Sequence, residues 1–455
     1  MAIAVIIYWG MCNEYKKNLA ALLIIYLREY LMNTDTISSF RTKDVDFTRT
    51  RKLPFWRVAV LVMSGWKTSI QNRVNKFFKD FGLLENIPTA SAFCQAREKI
   101  KPAFFKALNE NVTKFFYENY EKEGLVKKWK GRLLWVVDGS HINIPDTTET
   151  REKYSIQANQ YNEKGVVQAQ ASFLCDVLNE ISVNSSIDKI KTEKYFIFSE
   201  HIKHYRKDAI VIYDRLYADF SVITFHANAG IDFVIRCPEI TTFKKVQNFI
   251  KSDLVDEIVS LKVTQKQKKF VEENRLPKEV TVKLVKVKLD NGKIEVLMTS
   301  LLEEDYKLED FKWLYNKRWG VETYLDRLKN QLEVERFSSS KLIGIEQDFY
   351  GIAFLTSLES VLSKDDEKEI TEESREKQLK YEYKINKSVS YSALVDYIVD
   401  LLLNLNKSPE EVIDDLSRLF RTGRTPIRPG RKFKRKNLTA TQQLRFHKYV
   451  KRTCA

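Results

Sequence analysis

Asp138 and Asp214 each follow a run of five apolar residues, Leu133 to Val137 and Ala209 to Tyr213. Short continuous apolar runs read as buried strands, and ligands of open α/β sheets gather at the carboxyl ends of strands. A third acid, Glu322, lies in a stretch of helical period that also carries Tyr315, Arg318 and Lys329. With Arg318 at 0° and about 100° per residue, Lys329 falls at ~20°, Glu322 at ~40° and Tyr315 at ~60°. Leu314, Val321, Leu325, Leu328 and Leu332 form the adjoining apolar stripe, which leaves Asn316, Thr323, Arg327 and Asn330 for the solvent face. Two strand-end aspartates and a helical glutamate could hold two divalent cations about 4 Å apart, one activating water or a 3′-hydroxyl and the other stabilising the leaving oxygen of a phosphodiester. Oxygen-only donors suit Mg²⁺, with Mn²⁺ able to substitute. Taken singly, each aspartate is equally a turn or cap residue, and the helix is equally one with ion pairs on its flank.

Tyrosine, two residues, arginine, three residues, glutamate, six residues and lysine is a spacing that resembles the signature of the insertion sequence 4 family of bacterial DDE transposases. Tyr315, Arg318, Glu322 and Lys329 match it throughout. The resemblance implies that Asp138, Asp214 and Glu322 are the three catalytic and metal-binding acids, and that Tyr315, Arg318 and Lys329 contact DNA phosphates; Arg215 is a further DNA-binding candidate. It further implies double-stranded DNA as partner, both transposon ends and target, a homodimer in the synaptic complex, and a bacterial cytoplasmic, nucleoid-associated protein. In one place the sequence departs from the family: its second motif usually reads aspartate, arginine, glycine, aromatic, whereas this chain has Asp214-Arg215-Leu216-Tyr217. Leucine adopts positive φ only at a cost, so either the turn does without it or the site is distorted. The family also often stacks a flipped base on a tryptophan, yet no Trp lies between Trp135 and Trp313. Stacking would then fall to Phe243, Phe249, Phe270 or another aromatic.

The elements that must position these residues follow from periodicity. Leu133 to Val137, Val166 to Cys175, Ile181 to Ser186, Ala209 to Tyr213 and Phe233 to Arg236 read as strands, with Leu178-Asn179 a turn and Tyr195 to Tyr205 a helix. Three strands in sequence followed by strands alternating with helices is an α/β order consistent with a ribonuclease H-like catalytic core. That core spans residues 129–237 and 305–362, interrupted over 238–304 by a β-rich insertion whose hairpin turns at Asp290-Asn-Gly292. Residues 1–128 read as an all-helical DNA-binding domain, with Val58, Val60, Leu61 and Trp66 on one helix. There a helix starting at Thr89 presents Arg97, followed by Lys99 and Lys101, as exposed groups that could enter a DNA groove. A plain helical bundle has the same pattern. Residues 363–455 form a charged linker and a basic helical tail.

A chain of 455 residues is long enough for several domains. Its formal net charge of +15 is concentrated: Arg418 to Ala455 holds thirteen Lys or Arg and no acid. Arg431, Lys432, Lys434 and Arg435 should run along DNA backbone with a steep salt dependence; a tail that only aids solubility is the plainer reading. Five scattered cysteines without a Cys-x-x-Cys pair argue for a reducing compartment and against a zinc site. Neither early apolar run reaches the roughly 18 residues of a membrane span. His201 and His204, three apart, read as exposed helix residues rather than metal ligands. Two rivals remain beside the transposase: a catalytically inactive or host-recruited transposase-derived DNA-binding protein, and a ribonuclease H-like nuclease acting on RNA or hybrids.

Overall fold

Leu133, Trp135 and Val137 point into one hydrophobic core, and Leu134 and Val136 into another. The same division holds for Ala209, Val211 and Tyr213 against Ile210 and Ile212. Both runs are apolar throughout because each strand is covered on both faces, as parallel strands usually are. At roughly 1.5–3 kcal/mol per fully buried aliphatic side chain, these ten residues hold the middle of the sheet firmly. The computed structural model describes residues 19–428 except 50, 65–67, 160–161, 290–291 and 404–406.

The strands are β1 (Leu133–Asn143), β2 (Ser155–Asn159), β3 (Asn162–Asp176), β4 (Ile181–Asp188), β5 (Ala209–Tyr213), β6 (Asp232–Arg236), β7 (Asp256–Lys262), β8 (Glu279–Lys288) and β9 (Ile294–Thr299). They make one nine-stranded sheet in the order β2-β3-β1-β5-β6-β9-β8-β7, with β4 also on β3. β1, β3 and β4 are antiparallel neighbours, β5 runs parallel to β1, and β6 parallel to β5. A separate two-stranded pair, Tyr383–Ile385 with Arg424–Pro426, lies near the end of the described chain.

The segment 238–304 carries β7, β8 and β9 and does not stand apart from the core. β9 pairs antiparallel with β6, so β7, β8 and β9 extend the core sheet. Of its expected hairpin turn, Asp290 and Asn291 lie outside the described residues, as do Trp66, the first apolar run and the basic tail.

Helices cover one face of the sheet from the N-terminal side. Leu19–Met32, Phe55–Met63, Ile70–Asp80 and Ala103–Phe115 share a core with Leu133 and Trp135. Thr89 caps the helix Ala90–Arg97 by accepting the Ala92 amide at 3.1 Å, as the sequence predicts. On the other face, Leu314, Tyr315, Val321, Tyr324 and Leu328 pack with Leu134 and Ile210. The helix Leu342–Leu362 is buried nearly all round and contributes to both cores. Among the described residues no helix is long and apolar enough to cross a membrane.

Candidate active site

β1 and β5 pair in parallel with Val136 against Ile212, an offset of 76 residues. The same offset carried two residues further would bring Asp138 level with Asp214, just past the last pair of two strands spaced about 4.8 Å apart. The strand bearing Asp138 does not end at Val137 as its apolar run suggests. β1 continues to Asn143 against β3, while β5 stops at Tyr213. Asp138 therefore stands where β1 loses its parallel neighbour and the edge opens. Asp138 Oδ1 accepts the Gly139 amide at 2.8 Å. Asp214 opens a 3₁₀ turn, Arg215–Tyr217, anchored by the buried Tyr217 ring 5.2 Å from that of Tyr213. Leu216 is 65% exposed and is not among the positive-φ residues. The turn has no need of glycine, so the departure at Leu216 leaves its backbone unstrained.

β6 brings a residue to this edge for which the sequence suggested no role. Tyr213 pairs with Ile235, which puts Arg236 next to Asp214. Arg236 Nη1 lies 3.9 Å from Asp214 Oδ1, and its Nη2 donates to Glu295 Oε1 at 2.8 Å. The signal was present: Arg236 ends an apolar run just as the two aspartates follow theirs.

The signature segment forms Leu308–Lys317, then Trp319–Asp326, then a π-helical turn Arg327–Gln331. Arg318 is buried and its Nη2 donates to Glu322 Oε1 at 2.7 Å, one helical turn on. Tyr315 Oη, Arg318 Nε and Asp214 Oδ1 are all buried without a hydrogen-bond partner. Tyr315 feels both Arg318 and Arg236, but burial dominates and pushes its phenol upward. Burial works against the Arg318 charge; Tyr315, Glu322 and Asp214 together outweigh it, so its pKa is raised. Lys329 Nζ donates to the His141 carbonyl at 2.7 Å, three residues beyond Asp138. Burial lowers the Lys329 pKa, with Glu335 partly opposing. Asp138, Asp214, Arg236, Tyr315, Arg318, Glu322 and Lys329 thus surround the open ends of three parallel strands.

The sequence model of the family described as Transposase DDE domain matches residues 129–358, half of the chain. The chain belongs to the transposase DDE domain family. The match runs from the residues before β1 into the helix Leu342–Leu362, so β7 to β9 lie inside the DDE domain. Among solved structures, a piggyBac transposase synaptic complex with hairpin DNA, determined by cryo-electron microscopy, is similar with a TM-score of 0.43 and 11% identity, over 90% of this chain and 87% of that one. No curated protein matches.

The acidic edge of this DDE domain suits a hard divalent cation in its donor chemistry. The β1–β5 register, carried two residues on, brings two carboxylates to this edge, and one oxygen, Asp214 Oδ1, is buried without a hydrogen bond. Such an orphaned acceptor is costly unless a ligand meets it. Among the described residues no three His, Cys, Asp or Glu side chains converge closely enough to hold a metal ion. The third acid, Glu322, is turned to Arg318. In donor chemistry Asp138 and Asp214 fit such a cation, while Glu322 is held by Arg318.

Several expectations for the DDE domain and its flanks are corrected by burial. Arg97 is not an exposed DNA contact. It is 2% exposed, and its guanidinium donates to Gln347 Oε1 (2.9 Å), Ser338 Oγ (2.8 Å), the Gly344 carbonyl (3.2 Å) and Asp348 Oδ1 (3.0 Å). Arg327, assigned to the solvent face, is buried and grips Glu180 at 2.7 Å. Helical phase identifies the apolar stripe but not a second covering element, here the turn between β3 and β4. His201 is fully buried, bonded to Ser172 Oγ (2.9 Å) and Asn184 Nδ2 (3.0 Å), and neither histidine of the pair is exposed. Phe243 and Phe249 are core residues, which removes them as base-stacking candidates, while Phe270 is half-buried. Arg215 is exposed, and Lys99 is half-buried 3.8 Å from Asp46. Arg431, Lys432, Lys434 and Arg435 lie outside the described residues.

Proposed function

We propose that this member of the transposase DDE domain family is an insertion sequence 4-type transposase. It binds the inverted ends of its element and carries out metal-dependent strand cleavage and strand transfer. The observation that carries the reading is the register of β1 and β5, Val136 against Ile212, which carried two residues on would bring Asp138 level with Asp214 on the side of the sheet that the Tyr315 to Lys329 segment packs against. The order β4-β3-β1-β5-β6, three antiparallel strands followed by two parallel to the first, supports a ribonuclease H-like core.

Asp138, Asp214 and Glu322 would hold Mg²⁺, or Mn²⁺ in its place. Bound there, the cation supplies an acidified water or 3′-hydroxyl and charge neutralisation at the phosphate. The chain's own residues orient the substrate. Arg318 offers a planar fork to two phosphate oxygens, Tyr315 Oη is an unused donor beside it, and Lys329 presents a point charge across the β1 edge. Arg215 stands exposed at the same turn as Asp214. Two chains would pair two ends in a synaptic dimer, and the tail from Arg431 would follow the backbone of duplex DNA.

A second reading, a catalytically inactive or host-recruited DNA-binding protein, is favoured by one observation: Glu322 already has an internal cation in Arg318. Incubating the full chain with DNA that spans its own gene and flanks, in Mg²⁺ and in EDTA, separates the two. Metal-dependent nicks at the inverted ends that vanish in Glu322→Gln establish the transposase. End binding without nicking in Mg²⁺ or Mn²⁺ selects the inactive reading, and cleavage confined to an RNA–DNA hybrid selects neither.

A further inference from the structure

The turn that joins β3 to β4, residues 177–180, touches the Tyr315 to Lys329 segment on both sides of Glu322. Two residues before Glu322, a Cβ added to Gly320 would lie 3.1 Å from both Cβ and Cγ1 of Val177, so helix and turn already meet as closely as glycine allows. Five residues after Glu322, Arg327 donates from Nη1 and Nη2 to the two carboxylate oxygens of Glu180, at 2.7 and 3.3 Å. A forked contact of this kind fixes orientation as well as distance. Arg327 opens the π-helical turn Arg327–Gln331, which also carries Lys329.

The turn is fastened to the strand that bears Asp138. The Val177 amide donates to the Leu134 carbonyl of β1 at 3.0 Å, and β3 pairs Phe173 with Asp138 itself. The fully buried Asp176 accepts the Leu178 and Asn179 amides at 3.1 and 3.0 Å and the Tyr117 hydroxyl at 2.8 Å. Glu180 sits at φ 56, with its carbonyl accepting Ser360 Oγ at 2.8 Å. A residue other than glycine keeps such a backbone only where its surroundings enforce it.

Glu180 is also shared. Lys387 Nζ lies 3.4 Å from Glu180 Oε2 and donates to Glu359 Oε2 at 2.9 Å, and Ser390 Oγ donates to Glu359 Oε1 at 2.6 Å. Arg327, Glu180, Lys387 and Glu359 therefore alternate in sign, and Arg327, Lys387 and Glu359 are buried. Buried ion pairs add little stability over apolar packing of the same volume, and their best attested use is to fix a register. The register fixed here is that of the helical segment against the sheet.

We infer that Glu180 is a positioning residue for Glu322: through Arg327, and with Val177 set against Gly320, the turn between β3 and β4 determines where that carboxylate stands relative to Asp138. The inference rests on the transposase reading. A misplacement of about 1 Å in a reacting group can cost about a hundredfold in rate.

The test compares the unaltered full chain with Glu180→Gln, which removes the charge, and Arg327→Lys, which removes the fork, on DNA that spans its own gene and flanks. Two quantities are read: Mn²⁺ binding to the DNA-bound protein, from the electron paramagnetic resonance signal of the free ion, and the Mn²⁺ concentration for half-maximal end cleavage. Groups that orient metal ligands carry about 10–100-fold in affinity or activity, so both quantities should weaken by about tenfold or more, while end binding in EDTA stays unchanged. Gly320→Ala alters no charge, should shift both quantities in the same direction, and serves in place of the charge variants if they fold poorly. Cleavage by the unaltered chain with both quantities unmoved in the folded variants overturns the positioning role and leaves the transposase reading standing. Loss of end binding in EDTA with Mn²⁺ affinity unmoved assigns Glu180 to the fold alone and likewise overturns it. Absence of cleavage by the unaltered chain in Mg²⁺ and in Mn²⁺ overturns both.

Discussion

Arg318 Nη2 and Glu322 Oε1 lie 2.7 Å apart, one helical turn from each other, with the guanidinium buried and the carboxylate 38% exposed. Glu322 is therefore neutralised from within by Arg318. Arg318 also feels Asp214 across the strand ends. A phosphate that draws Arg318 away would release Glu322 toward the aspartates. Glu322→Gln should abolish end cleavage while retaining end binding. Changes to groups that only orient metal ligands already cost about 10–100-fold, so a loss of at least about a hundredfold is expected in a gel cleavage assay. Arg318→Ala should weaken binding and cleavage together; full cleavage by this variant would remove Arg318 from the phosphate-gripping role.

Arg236 is the residue that the sequence left without a role. It stands between Asp214 and the buried Glu295. Arg236→Ala leaves the buried Glu295 carboxylate with only Lys293, 3.7 Å away, and since breaking a buried pair outright costs about 3–5 kcal/mol, a loss below that range is expected in urea denaturation. Arg236→Lys should recover most of that stability. If Arg236 also positions Asp214, cleavage will stay depressed in the lysine variant despite recovered folding.

Arg97 ties the N-terminal helices to the Leu342–Leu362 helix through Asp348, Gln347 and the Gly344 carbonyl. Arg97→Ala should destabilise the fold by about 3–5 kcal/mol, because Asp348 is left buried and unpaired. The salt slope of DNA binding, measured on the folded fraction, should not move. A slope reduced by about 0.9 would restore Arg97 as a phosphate contact.

Burial lowers His201 to about 3, with His204 and Lys106 adding to the effect, and lowers His226 to about 4. Unfolded histidine titrates near 6.5. Above that pH both states are neutral and neither residue makes stability depend on pH. As pH falls below it, the unfolded chain takes up protons that the folded chain refuses, and stability is lost. Each residue adds a slope approaching about 1.4 kcal/mol per pH unit between 6.5 and its folded value. Melting midpoints should fall through this window, and His201→Asn should flatten the fall. An unchanged profile in His201→Asn would show that His201 does not drive it.

Local pattern was enough to bury the five residues before each aspartate and to end β5 just before Asp214, since an apolar run of five residues covered on both faces has one stable use, but not to show that β1 runs on past Asp138 to Asn143. It was also enough for the capped helix from Thr89 and for the apolar stripe of the Tyr315 to Lys329 segment, which depend on neighbours three or four residues away. Only the tertiary structure decided which polar groups face solvent. Arg97 looked exposed because its partners, Ser338, Gly344, Gln347 and Asp348, lie some 250 residues further on. Arg327 and His201 are covered in the same way, one by Glu180 and the other by β3 and β4. The pairing of β9 with β6, which joins the supposed insertion to the core sheet, and the approach of Arg236 to Asp214 are likewise facts of register. Periodicity reports which face of an element is apolar, while exposure and charge pairing depend on what packs against the other faces, and distant parts of the chain supply that covering.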